Sequence, residues 1–273
     1  FIYVLLFFMV KQPNHPHDRV IISDGKSYYG YLTAIFIYND LSYSFIEDYE
    51  SKYYPDHPSI FKEFRYKYKG KTLNKGFPGL AFLLLPFFLI AHLIALLCGL
   101  PADGYSLIYQ YFTGFSALFY FWVGLRFTRK MLAAFSFNSK TIAFILFLIA
   151  FATNIIYYTL KEGMMTHVYN FGMLAAFLFY IKSYFTSGRQ HYIVKAALLF
   201  GLIVATRPTN GLFILLIPFV AGSWNNLKQL LKTVISDKKL TAKILIAGLI
   251  FPFATALIWY VQTGFWIVWS YGE

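Results

Sequence analysis

The chain is poor in charge, poorest in acid, and has almost no cysteine. Of its 273 residues only 13% are charged, and just 12 are Asp or Glu. Soluble domains carry about 25% charged residues. With 58% hydrophobic residues, this chain holds more apolar surface than a soluble core of its length can hide. The single cysteine, Cys98, excludes an intrachain disulfide and any cysteine-based metal cluster. A phosphate-cradling P-loop, a dinucleotide fingerprint, a His-Glu-x-x-His zinc helix and a Gly-x-Ser-x-Gly nucleophile elbow are all missing.

What is there is a series of hydrophobic runs: 77–100, 105–127, 141–160, 167–185, 192–206, 209–224 and 244–262. Most approach the ~20 apolar residues that a membrane crossing needs. The 31 Phe and 23 Tyr often flank these runs, as in the aromatic belts at bilayer surfaces. The expected class is an all-α integral membrane protein, a multi-spanning helical bundle. Residues 1–10 are apolar but too short to cross, and are expected to be the end of a first transmembrane helix that starts upstream. Residues 263–273 are expected to begin a further outward loop that continues past Glu273.

The net charge of +12 would suggest nucleic acid in a soluble protein. Here it follows topology instead, and no nucleic-acid partner is expected. Twelve basic residues lie on three alternate connections: Arg126, Arg129, Lys130 and Lys140; Lys182, Arg189 and Lys195; Lys228, Lys232, Lys238, Lys239 and Lys243. The connections between them carry only Lys161 and Arg207. The positive-inside rule places the three basic loops in the cytoplasm and the turns at 161–167 and 206–209 outside. Tyr105 is then outside. The side on which 11–76 lies depends on 77–100. If that run spans, 11–76 is cytoplasmic; if it is re-entrant or surface-lying, 11–76 is outside. Pro78, Gly79, Pro86 and His92 make it an unusual spanning helix, although membranes tolerate Pro and Gly.

The polar region 11–76 holds 10 of the 24 basic and 8 of the 12 acidic residues. Within it, 25–46 reads as an amphipathic helix lying on the membrane, and 47–76 as loop. The stretch from Lys62 to Lys71 alternates basic and aromatic residues, which suits either docking on anionic lipid or a lipid-linked phosphate, or a short hairpin with one charged face.

Few residues are equipped for chemistry. Asp24, in Ser23-Asp24-Gly25-Lys26-Ser27-Tyr28-Tyr29-Gly30-Tyr31, either takes a proton from an acceptor hydroxyl or binds a divalent cation, or simply caps the helix that follows. Glu162 and His167 flank a turn between two apolar runs, where an ionisable residue is a functional hint; the plain alternatives are a solvated turn and a helix cap. Arg207, in Thr206-Arg207-Pro208-Thr209-Asn210, either grips phosphate oxygens with its planar fork or snorkels to headgroups.

Taken together, an early Asp after the first membrane helix and the Tyr-rich stretch behind it resemble the GT-C superfamily of polyprenyl-phosphate-sugar-dependent glycosyltransferases, which includes protein O-mannosyltransferases and lipid A aminoarabinose transferases. Asn74-Lys75-Gly76-Phe77-Pro78-Gly79-Leu80 with Leu85-Pro86-Phe87 is similar to the Gly/Pro-led segment late in their first external loop. Thr166-His167-Val168-Tyr169-Asn170-Phe171 and Thr206-Arg207-Pro208-Thr209-Asn210 resemble motifs of bacterial members. The tandem Asp-Glu that follows the first helix elsewhere in the family is Asp24-Gly25 here, so use of a metal does not carry over.

The resemblance implies an exoplasmic loop over 11–104 with juxtamembrane or re-entrant helices, a helical bundle over 105–262, and a site facing the periplasm of a bacterial inner membrane. It implies Asp24 as the base. Glu162, His167, Arg207 and the lysines Lys67, Lys69 and Lys71 would then bind a polyprenyl-phosphate-linked sugar and a glycan, lipid or protein acceptor, and Glu273 would face the same side. The competing expectations are a transporter or flippase for a lipid-linked or anionic substrate, and a non-catalytic subunit of an envelope assembly. Buried charge between helices would favour transport; His92 is the main ionisable residue at mid-depth.

Overall fold

The computed structural model describes residues 1–12, 19–53 and 64–268. Lys62, Glu63 and Glu273 lie outside them. The described residues are mostly helical, with one two-stranded hairpin. They divide into two compact units, Phe1–Phe119 with Tyr157–Thr166 and Thr255–Glu273, and Tyr120–Ile156 with His167–Ala254.

In the first unit, α1 (Ile2–Val10) packs on the first half of α5 (Leu107–Ala134), with Phe7 against Phe115 and Phe8 against Tyr111, both at 5.9 Å between ring centres. Between them in sequence come α2 (Gly25–Phe36), α3 (Ile46–Tyr53), β1 (Arg65–Tyr68), β2 (Lys71–Asn74) and α4 (Gly79–Leu97). The amphipathic helix expected over 25–46 stops at Phe36. Asp40 accepts from the backbone and hydroxyl of both Ser42 and Ser44. Such local side-chain bonds offer the backbone an alternative to helix, and Asn39 and Tyr43 take positive φ on either side. The expected loop over 47–76 contains α3 and the hairpin. Register pairs Tyr68 with Lys71, so Lys69-Gly70 forms a two-residue turn with both φ values positive, at 46° and 81°.

Helix α4 has 19 residues, about 28 Å at 1.5 Å per residue, and Pro86 does not break it. Both of its flanks are tied to α2. Before it, the Asn74 amide donates to Ser27 O at 2.7 Å and Tyr31 donates to Gly76 O at 2.7 Å. After it, Tyr29 donates to Gly104 O at 2.6 Å, and Gly104, at φ +82°, lies so close to Thr33 that a Cβ would come within 2.5 Å of it. The run 77–100 therefore leaves the chain attached to the same short helix from which it departed. His92 Nδ1 meets Tyr109 OH at 2.6 Å, which engages the one histidine in the run.

In the second unit are the rest of α5, α6 (Ser139–Phe151), α8 (Thr166–Ser187), α9 (Gln190–Thr206), a 3₁₀ segment (Pro208–Leu216), α10 (Ile217–Ala221), α11 (Trp224–Ser236) and most of α12 (Lys238–Thr263); α7 (Ile155–Leu160) leads back to the first unit. Glycines allow the closest approaches. A Cβ on Gly201 of α9 would lie 2.1 Å from Gly248 O of α12, and one on Gly172 of α8 would lie 2.8 Å from Tyr120 O of α5. Small residues at such crossings are how membrane helices pack.

Only two described helices, α4 and α12, are both long and apolar enough to cross a bilayer. The run 141–160 divides into α6 and α7, and 209–224 into the 3₁₀ segment and α10. Neither is a core helix: Leu93, Leu96 and Leu97 of α4 and Ile246, Leu249 and Phe253 of α12 are all exposed. Apolar surface of that extent needs a non-aqueous neighbour.

Candidate functional site

Asp24 stands at the head of α2 with helical dihedrals (φ −58°, ψ −24°) and makes no side-chain capping bond. The cap is built from other atoms: Lys26 N donates to Ser23 O at 3.2 Å, and Ser27 donates to Asp24 O through its N at 3.0 Å and its Oγ at 2.6 Å. Ser23, at φ +50°, turns the chain into the helix. The Asp24 carboxylate is exposed while the next ten residues, Gly25 to Ala34, are buried. The carbonyls of Ser23 and Asp24 accept the first amides of the helix, and the Asp24 carboxylate is not engaged as a cap.

Gly25 is pressed against Met164, where an added Cβ would lie 2.2 Å from Met164 Cβ. Met164 belongs to the turn that closes α7: Lys161 N and Glu162 N donate to Tyr157 O at 2.8 and 3.1 Å, and Met165 N to Glu162 O at 2.9 Å. Gly163 in the same turn is buried against Ala117. Asp24 and half-buried Glu162 therefore flank one contact, each within two residues of it. Neither is in an ion pair among the described residues. No three His, Cys, Asp or Glu side chains gather as a metal site among the described residues.

The second unit holds His167 and Arg207. Arg207 ends α9 in extended conformation (φ −152°, ψ 117°), its N–H donating to Ile203 O at 3.2 Å and its carbonyl accepting from Asn210 N at 2.9 Å. Pro208 then forces the 3₁₀ segment, because a ring with no N–H cannot continue the helix. Arg207 is half-buried and forms no ion pair among the described residues. His167 opens α8 ahead of its apolar stretch. Desolvation first, and then the Arg207 charge, lower its pKa below the usual imidazole value.

Two amides in the same motifs, given no role by the sequence, have an unpaired atom. Asn170 Oδ1 and Asn210 Nδ2 are both buried with no hydrogen-bond partner, and each lies three residues after His167 or Arg207. Buried amides rarely go unpaired, and a ligand oxygen would serve Asn210. Spacing of i, i+3 was the available signal.

The hairpin lysines do not join Asp24. Strand β2 runs antiparallel to α2, with Asn74 at Ser27 and Lys71 and Thr72 in a cleft of about 440 Å³ with Ala34, Ile35 and Gln262. The ten residue steps from Asp24 to Ala34 are about 15 Å of helix. Lys67 Nζ donates to Thr72 Oγ1 at 3.0 Å, and Lys69 Nζ lies 4.1 Å from the Phe265 ring centre.

Asp103 was not anticipated. It accepts from Lys52 Nζ at 2.9 Å, from the Tyr53 hydroxyl, and from Tyr105 N and Ser106 N at 3.0 and 2.8 Å. Burial raises its pKa, but these bonds outweigh it and hold the carboxyl below the ordinary range. It fastens α3 to the start of α5. Comparison with protein-family models, with curated proteins and with solved structures finds no match to this chain.

Proposed function

We propose that the chain is a membrane glycosyltransferase of the GT-C type. It would move a sugar from a polyprenyl-phosphate-linked donor to a hydroxyl of a glycan, lipid or protein acceptor on the outward face of a bacterial inner membrane. The observation that carries this reading is the Asp24 carboxylate, exposed beside the Glu162 turn and released from capping duty.

Asp24 accepts the proton of the acceptor hydroxyl as its oxygen attacks the anomeric carbon. The bond from that carbon to the phosphate oxygen breaks, and polyprenyl phosphate leaves with the electron pair. Arg207 is assigned to the phosphate, where its fork stabilises the growing charge, and Asn210 supplies a further N–H. Glu162 and His167 orient sugar or acceptor. Lys67, Lys69 and Lys71 are left to anionic headgroups.

The charge rule sets the start of α5 outside. Val20 N and Ile21 N both donate to Gln110 Oε1 in that helix, at 2.9 and 3.0 Å, and Tyr38 donates to Asp103 O at 3.0 Å. These bonds support an outward Asp24. His92, the main ionisable residue at mid-depth, is already hydrogen-bonded to Tyr109, which weighs against a transport role.

The test is release of sugar from a radiolabelled polyprenyl-phosphate-sugar by full-length protein in proteoliposomes. Transfer to an acceptor is expected. Movement of intact labelled lipid across the bilayer without cleavage would replace the enzyme with a flippase.

A further inference from the structure

At the opposite end of α9 from Arg207 lies a second cationic feature. Helix α9 has 17 residues, about 25 Å, so the two ends are separate places within one unit. A cleft of about 610 Å³ opens between the start of α9 and the start of α12. Arg189, His191, Lys195 and Lys243 line it, all four exposed, with Val194 and buried Leu240 as apolar wall. Asp237 is the nearby acid. Its oxygens are already occupied, Oδ2 by Gln190 Nε2 at 3.0 Å and Oδ1 by Leu240 N at 3.0 Å. Among the described residues, none of Arg189, Lys195 and Lys243 is in an ion pair, although Asp237 acts on Lys243 at longer range.

A concentrated positive charge of this kind repels itself and is stabilised by a bound anion. We propose that this cleft binds the phosphate group of an anionic phospholipid. Three observations favour a lipid over a soluble phosphate. Basic pockets between membrane helices on the cytoplasmic side are headgroup sites, and the charge rule sets this end of α9 in the cytoplasm. Helix α11, which ends at Asp237, exposes Trp224, Leu231 and Ile235 on one stripe, the form of a helix lying in the headgroup plane. Beyond the cleft, Leu198 of α9 and Leu245, Ile246 and Leu249 of α12 are exposed, which gives acyl chains an apolar surface continuous with the polar cleft.

The test uses full-length protein in neutral detergent, titrated with phosphatidylglycerol, phosphatidylcholine or inorganic phosphate. Bound lipid is counted by native mass spectrometry, and phosphate is followed through the melting temperature. Phosphatidylglycerol is expected to bind in preference to phosphatidylcholine. The R189Q/K195Q/K243Q protein should lose that binding by about tenfold or more, while K228Q/K232Q, which removes charge from α11 only, should keep it. The three single variants should show graded losses, which preserves the test if the triple variant does not fold. Equal phosphatidylglycerol binding by wild type and the cleft variants overturns the proposal, as does an equal loss in K228Q/K232Q. A melting shift with inorganic phosphate that the cleft variants lack, without lipid binding, keeps the phosphate site and overturns the lipid.

Discussion

Gly25 and Met164 are in contact so close that the α-hydrogen of Gly25 occupies the only space between them: a Cβ at Gly25 would lie 2.2 Å from Met164 Cβ and 2.9 Å from its Cγ. The contact sets Asp24 beside Glu162. Gly25→Ala is predicted to force the two segments apart, costing about 1–3 kcal/mol as overpacking does, and to reduce sugar transfer with it. Met164 is 1% exposed, so truncating it to relieve the clash would itself cost about 2–5 kcal/mol and is not expected to rescue Gly25→Ala. The measurement is melting temperature alongside transfer rate. A Gly25→Ala protein as stable and active as wild type would show that the contact is not needed.

Asp24 separates two readings by one substitution. A capping side chain replaced by Ala costs about 1 kcal/mol, but the side chain makes no such bond, so Asp24→Ala is predicted to melt as wild type does. As the base, Asp24→Asn should lower turnover by roughly 10²–10⁴-fold with donor binding little changed, and Asp24→Glu should recover part of it. Near-normal transfer by a folded Asp24→Asn protein would move the search to Glu162.

Arg207→Lys keeps the charge but loses the planar fork. The predicted effect is weaker donor binding by about 1–3 kcal/mol, the range for hydrogen bonds to charged groups. Arg207→Ala should cost at least as much, and Asn210→Ala should weaken the donor further in an Arg207-intact protein. Donor titration in proteoliposomes reads all three. Unchanged affinity in Arg207→Ala would leave that residue as a headgroup anchor.

Sidedness has its own test. Cys98 is exposed and free, so probes belong in a Cys98→Ser background. Cysteines placed at Asp24 and Arg207 are predicted to react with an impermeant reagent from outside intact cells. Labelling at 24 only after the membrane is opened would end the mechanism proposed above.

Acid should loosen the first unit. At Asp40 burial raises the pKa, but the bonds from Ser42 and Ser44 prevail and bring it down to about 2; Asp103 is lowered too. Both folded values lie below the unfolded one, so both groups stabilise above about pH 4 and lose that contribution as pH falls through the folded values. Melting temperature is predicted to fall from about pH 5 to about pH 2.5, and less steeply in Asp103→Asn. An identical slope in the variant would remove Asp103 from the account.

Consecutive residues alone determined that the described residues are mostly helical and that two of the helices are long and apolar enough to cross a bilayer. Apolar runs, sparse acid and alternating basic loops need no tertiary information, because hydropathy and charge act on each segment separately. The Lys62–Lys71 alternation likewise contained its hairpin, since period two and Lys69-Gly70 are local. What only the tertiary structure decided depends on partners far apart in the chain. Composition makes 77–100 long and apolar enough to cross, but only the folded chain shows that bonds to Ser27, from Tyr29 and from Tyr31 tie both its flanks to α2. Propensity carries α2 past Phe36, but four bonds to Asp40 end it. The Asp24 side-chain cap, plausible from its neighbours, gives way to the carbonyls of Ser23 and Asp24, which accept the Lys26 and Ser27 amides. The pairing of Gly25 with Met164, the orphaned amides of Asn170 and Asn210, and the cleft shared by Arg189 and Lys243 arise from packing between segments, and no periodicity within a single segment encodes which distant surface it will meet.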